Sequence, residues 1–134
     1  MDEILEHVKA LCLTLPCGTC QINGSHATFR NPKKVFLYYL NNHHGDGIIS
    51  ICAKLAAGEN KLLVQSDPRR FYLPAYIAHR GWVALRLDQG EIDWEEVVEL
   101  IKESYRQSIS KLSVVTEPRL LKQRSANPRT KGSR

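Results

Sequence analysis

Apolar residues recur at three- and four-residue steps near both ends of the chain and at two-residue or continuous spacing between them. From Asp2 to Leu15, residues Ile4, Leu5, Val8, Leu11, Cys12 and Leu15 form one stripe and predict a helix. Asp2 is placed to cap it, and Pro16 disfavours helical geometry at Leu15. Residues 16–27 are rich in Gly, Ser, Thr and Asn and read as a loop with room for a short edge strand. Three strand-like runs follow: Ala27–Arg30, Val35–Leu40 and Ile48–Cys52. Asn31-Pro32-Lys33-Lys34 joins the first two, and a polar segment from Asn41 to Gly47 joins the last two. Connections this short imply antiparallel neighbours.

The second half repeats the alternation in period. A short helix is predicted from about Gly58 to Gln65, with Leu55, Leu62 and Leu63 toward the core and Gly58 weakening the pattern. Asp67-Pro68 has the form of a cap followed by a first helical residue, enough for a single turn. Phe71–Ile77 reads as a strand, and Pro74 assigns it to an edge or a bulge because proline cannot donate to a ladder. In Trp82–Asp88, residues Val83, Leu85 and Leu87 point one way and Trp82, Ala84, Arg86 and Asp88 the other. Asp93 and Glu96 have capping-box spacing for a last helix ending near Ile109. Trp94, Val97, Val98, Ile101, Tyr105 and Ile109 are its expected buried stripe; Glu95, Glu99, Lys102, Glu103 and Arg106 are expected to face water. The order α-β-β-β-α-β-β-α predicts a two-layer α+β domain, an antiparallel sheet with helices on one face.

At 134 residues, 43% hydrophobic and 25% charged, the chain fits one soluble domain with a core of its own. No apolar run approaches the ~18 residues of a membrane span. The acidic start, Met1-Asp2-Glu3, lacks the apolar stretch of a secretory signal, so a cytoplasmic bacterial protein, monomeric by default, is expected. The net charge of +5 divides unevenly. From Ser110 onward there are seven Lys/Arg and one acid, whereas residues 1–109 hold twelve Lys/Arg against thirteen Asp/Glu. A folded domain over residues 1–112 and a basic mobile tail over 113–134 are therefore expected. A basic tail attracts phosphates and also serves as a solubilising appendage.

Four cysteines, Cys12, Cys17, Cys20 and Cys52, are expected as reduced thiols. Cys17-Gly18-Thr19-Cys20 is a CxxC that follows a helix instead of opening one, the wrong context for a low-pKa redox thiol. His26, His43, His44 and Cys52 offer no second pair with zinc-finger spacing. There is no phosphate-binding glycine loop, nucleophile elbow or catalytic carboxylate set, so no enzyme activity, metal or cofactor is expected. The remaining chemistry lies in basic and aromatic positions at predicted turns: Lys33, Lys34, Arg69, Arg70, His79, Arg80 and Trp82. Such side chains suit a nucleic acid, the lysines and arginines on phosphates and His79 and Trp82 on base or sugar. The competing reading is a set of solvated hairpin tips with Trp82 packed on the short helix and Arg80 stacked on its indole.

The phrases "LPCGTCQINGSHATFRN", "DPRRFYLPAYIAHRGWVALRLD" and "DWEEVVELIKESYR" resemble the MmcQ/YjbR family of small bacterial proteins over roughly residues 2–112. Asp67-Pro68, Phe71, Pro74, Tyr76, Gly81-Trp82-Val83 and Leu87-Asp88 carry most of the likeness. The resemblance implies an α+β fold akin to frataxin-like and secretion-chaperone-like domains. It also implies DNA binding through a double wing of hairpins. The slightly acidic body and the CxxC depart from that pattern. A second expectation is therefore a protein-interaction or chaperone-like module using an exposed sheet face or the edge marked by Pro74.

Overall fold

The computed structural model describes residues 2–109. The elements are α1 (Glu3–Leu13), β1 (Thr19–Asn23), β2 (His26–Arg30), β3 (Val35–Asn41), β4 (Ile49–Lys54), α2 (Glu59–Ser66), β5 (Phe71–Tyr72), β6 (Trp82–Arg86) and α3 (Trp94–Ile109). All six strands join one antiparallel sheet in the order β1-β2-β3-β4-β6-β5. The chain leaves β4, passes through α2, forms β5 at the far edge and returns as β6 between β5 and β4.

The two-layer α+β architecture agrees with the hydrophobic pattern, with one strand added. The polar stretch after Pro16 contains β1, so the order is α-β-β-β-β-α-β-β-α. The alternation signal fails in β1 because four of its five residues are exposed; β1 lies at an edge and is held by its ladder to β2. The predicted Phe71–Ile77 strand is corrected to two residues, since Pro74 ends the ladder and is itself buried. Residues 73–81 form a longer connection that closes with a 3-10 turn at Ala78–Arg80, so His79 and Arg80 are not the tip of a tight hairpin.

One face of the sheet is covered by helices. α3 packs over β3 and β4, and α1 packs against β1. Leu5, Val8, Phe29, Phe36, Leu37, Tyr39, Ile51, Leu63, Val83, Leu85, Leu100 and Ile101 belong to this core. Asp2 caps α1 by accepting from the Leu5 amide at 3.0 Å, and its other oxygen accepts from the buried Tyr39 hydroxyl at 2.6 Å, tying the helix start to β3. The buried stripe of α3 is rotated from the expected one. Leu100, Ser104 and Ser108 are buried, as is Glu103, expected to face water, and Ile109 is exposed. The serines explain the rotation. Ser104 Oγ donates to the Phe36 carbonyl and accepts from the Lys54 amide, satisfying backbone groups where the β3 and β4 ladders meet the helix.

The opposite face is covered by the sheet's own side chains. Cys52, Trp82 and Ala84 are buried there, flanked by Val35, Tyr38, Leu40, Tyr72 and Ile77, and none of these residues belongs to an α-helix. A bulge makes this possible. Phe29 pairs with Leu37 and Arg30 with Val35, leaving Phe36 as the extra residue. Phe36 and Leu37 thus both enter the helix-side core, while Val35 and Tyr38 both face the other way.

Gly81 joins the 3-10 turn to β6 at φ +98, and its carbonyl accepts from the Leu55 amide at 2.9 Å. A Cβ there would meet the Leu55 carbonyl oxygen at 2.6 Å. Gly81→Ala therefore combines a left-handed backbone with a clash against main chain. It should cost about 2 kcal/mol or more in urea unfolding, whereas the same change at Gly90, where a Cβ meets nothing, should cost less.

Candidate functional site

Lys54, Lys34 and Arg80, from three separate segments, lie near enough at one end of the sheet for their charges to repel one another. Lys54 ends β4 and is paired across the ladder with Trp82. Its ammonium is held below the ordinary value of 10.5, first by burial and then by the charges of Lys34 and Arg80. Lys34 comes from the β2–β3 turn and Arg80 from the 3-10 turn before β6. Among the described residues, the ion pairs join Arg70 to Asp67 and Glu96, Arg86 to Asp88, and Arg106 to Glu103; none involves these three cations.

Two buried asparagines set this arrangement. Asn31 is 2% exposed, and its Oδ1 accepts from the Lys33 and Lys34 amides at 2.8 and 2.9 Å. Its Nδ2 donates to Ser108 Oγ on α3 at 2.6 Å. The turn that presents Lys34 is thus anchored to the helix behind the sheet. Asn60, on α2, is also 2% exposed, and its Nδ2 donates to the carbonyls of Ala78 and Trp82, each at 2.9 Å. It grips the chain on both sides of Arg80. In each case a short amide satisfies backbone groups that would otherwise be buried unpaired, and the neighbouring basic side chain is left outside.

The seven residues expected at the site separate into groups. Lys34 and Arg80 are brought together around Lys54. Lys33 is exposed on the same turn as Lys34, and His79 is exposed next to Arg80. Trp82 is 5% exposed and packs on Tyr38, ring centroids 5.2 Å apart. Its indole is a wall of the second core, closed to base stacking. The expected Arg80–Trp82 stack is replaced by Arg70 lying 5.4 Å from the Phe71 ring centroid. Arg70 is committed to structure as well. Its guanidinium forks onto both oxygens of Glu96 and reaches Asp67 at 2.7 Å, and the bond to Glu96 is the chief reason its pKa is raised. Arg69 is exposed beside this network, on an open depression of about 550 Å³ lined also by Asp67, Asp88, Gln89 and Gly90.

Lys54 was missed because the predicted strand stopped at Cys52. Continuing the alternation Ser50, Cys52, Lys54 would have placed its side chain on the face of Trp82. All four cysteines are free; Cys17 is exposed at φ +56, while burial pushes the Cys20 thiol above its ordinary value. His43 and His44 lie in the 3-10 turn between β3 and β4. Their rings lie 3.9 Å centroid to centroid, with His26 edge-on to His43 at 5.3 Å. Among the described residues, no group of three or more His, Cys, Asp or Glu is arranged to hold a metal ion. No helix among them is long and apolar enough to cross a membrane.

Residues 13–107 match the YjbR family model, most of the described domain. The chain belongs to the YjbR family. Two solved structures share its fold. One is a Deinococcus radiodurans protein with a DUF419 domain, 17% identical, covering 86% of this chain and 84% of that one at a TM-score of 0.64. The other is a Pseudomonas syringae protein, 13% identical, covering 81% of this chain and 99% of that one at a TM-score of 0.63. No curated protein matches. At these identities the structural likeness establishes the YjbR-type fold, and any functional reading rests on this chain's own residues.

The depressed pKa of Lys54 fixes the sign of a stability effect. In the folded state its charged form is disfavoured, so the penalty is present at neutral pH and is relieved as pH rises through the folded pKa toward 10.5. Lys54→Met keeps the aliphatic stem and removes the charge. It should unfold at the same or higher denaturant concentration than the parent at pH 7, and the difference should shrink as pH approaches 10.5.

Proposed function

We propose that this YjbR-family protein is a small binding module that takes the phosphate backbone of DNA on the rim formed by Lys34, Lys54 and Arg80. The observation that carries this reading is a half-buried ammonium crowded by two further cations, with no carboxylate in ion-pair contact among the described residues. A fold has no structural reason to gather like charges, and a bound phosphate relieves their repulsion. Six of the thirteen acids of residues 1–109 lie on α1 and α3, and Glu59 is buried at the start of α2 beside Asn60. Glu3 and Glu6 lie in the first turn of α1, and Glu95, Glu96, Glu99 and Glu103 lie on α3. Lys33 and His79 extend the rim, and Arg69 and Arg70 fall outside it. The expected tail, 113–134, lies outside the described residues; its sequence supplies further positive charge for non-specific attraction.

A second reading has its own support. β1 is one edge of the sheet, its outer side unpaired among the described residues, with Ile22 47% exposed. The edge marked by Pro74 is a poor site for strand addition, because β5 offers only two residues. A partner strand would therefore add to β1. A stoichiometric protein that co-purifies and resists nuclease treatment would favour this use over DNA.

Fluorescence anisotropy with labelled duplex DNA over a salt series tests the DNA reading. Micromolar binding is expected at 50 mM salt, with log affinity falling linearly in log salt. Lys54→Met and Arg80→Gln should each weaken binding and reduce the slope by about 1, while Arg70→Gln should lower stability and leave the slope unchanged. Flat curves with the full chain, on duplex and on single-stranded DNA alike, would sink the proposal.

A further inference from the structure

We infer that the polymer held on this rim is single-stranded, and that Tyr76 is the side chain that stacks on one of its bases. This rests on the nucleic-acid reading above and specifies its ligand. Tyr76 lies in the 73–81 connection and is 89% exposed, more than any other large hydrophobic side chain among the described residues. Its backbone has φ +72. The Ile77 amide donates to the Ala75 carbonyl at 2.9 Å, so Tyr76 is the centre of a three-residue turn of the rare, strained hand. Glycine or asparagine would hold this conformation at lower cost. A bulky aromatic residue here is therefore unfavourable for the backbone and brings no ring contact to the fold among the described residues.

The turn itself is well supported. Pro74 is buried on one side, and Ile77 packs into the Trp82 cluster on the other. The Ile77 carbonyl then accepts from the Arg80 amide at 3.0 Å, continuing into the turn held by Asn60. Tyr76 is thus an exposed ring on a fixed base, four residues before Arg80. Four residues span at most about 14 Å of chain, the length of about four nucleotides at duplex spacing.

An exposed aromatic ring on a held turn, four residues of chain from Arg80, combined with a cationic rim supplies the two elements that bind unpaired strands, a stacking platform and a phosphate track. In a continuous duplex the base faces are hidden in the stack, so the ring would find only an edge or a backbone. The charge complementarity of Lys34, Lys54 and Arg80 selects a polyanion, and the exposed ring selects one whose bases are open.

The test compares labelled oligo-dT with a duplex of equal length, using the full chain and the variants Tyr76→Ala, Tyr76→Phe and Tyr76→Gly. The expected result is tighter binding of oligo-dT. Tyr76→Ala should weaken that binding about tenfold with an unchanged salt slope, Tyr76→Phe should restore it, and duplex binding should change less than twofold. Tyr76→Gly should lose the same affinity while raising the melting temperature, which a structural role for the ring would not allow. Equal oligo-dT affinity in the parent and Tyr76→Ala, with duplex binding intact, would overturn the inference and leave the phosphate reading standing. Binding of neither polymer by the parent would overturn both.

Discussion

A sheet with helices on only one side must hide the apolar residues of its other side with its own side chains. Here that demand falls on a few large groups, Trp82, Tyr38, Tyr72 and Ile77, leaning over the small residues Cys52 and Ala84. They work only if β3, β4 and β6 keep their register, because a slip of one residue would exchange the two faces. The register is secured at the ends of the strands. Asn31 fastens the β2–β3 turn to α3, Ser104 joins β3 and β4 to the same helix, and Asn60 pins the entry to β6. The side chains left outside these fastenings are basic, so the devices that hold the fold also place the charges.

This coupling gives the rim a defined energetic character. Surface lysines usually swing freely and contribute little. Lys54 is half-buried between two other cations, so part of its repulsion is borne by the folded state when no anion is present. A site of this kind is pre-organised. The cost of gathering the charges is met by the packing of the whole sheet, so the phosphate ligand proposed for this rim would meet them already assembled.

The elements with strong periodicity were legible in the sequence. The alternation in Trp82–Asp88 separates the two cores as found, with Val83, Leu85 and Leu87 on the helix side. The Asp2 cap is present, and Asp93 accepts from the Glu96 amide as its spacing implied. Failures occurred where tertiary partners override local pattern. β1 carries almost no apolar signal and exists because β2 offers it a ladder. The α3 stripe is displaced because two serines, polar by type, are buried: Ser104 serves the Phe36 carbonyl and the Lys54 amide, while Ser108 accepts from Asn31 Nδ2 and donates to the Tyr105 carbonyl of its own helix. The candidate site was half visible. Lys34 and Arg80 were chosen for lying at turns, but the residue between them lies at a strand end, and its neighbours are remote in sequence. Arg70 and Trp82 were chosen for their chemistry, which the fold uses internally.

The bulge at Phe36 can be viewed as a change of phase along β3. On its C-terminal side, Leu37 and Tyr39 face the helices; on its N-terminal side Val35, also odd-numbered, faces away from them. Lys34 immediately precedes Val35 at the end of the turn, so its placement depends on this shift. The chain thus holds the rim and the core in different parities of the same strand, with one phenylalanine as the step between them. A single-residue deletion in the Val35–Leu37 segment would force both onto one count. Either the core would lose Phe36 or the turn bearing Lys34 would rotate away from Lys54.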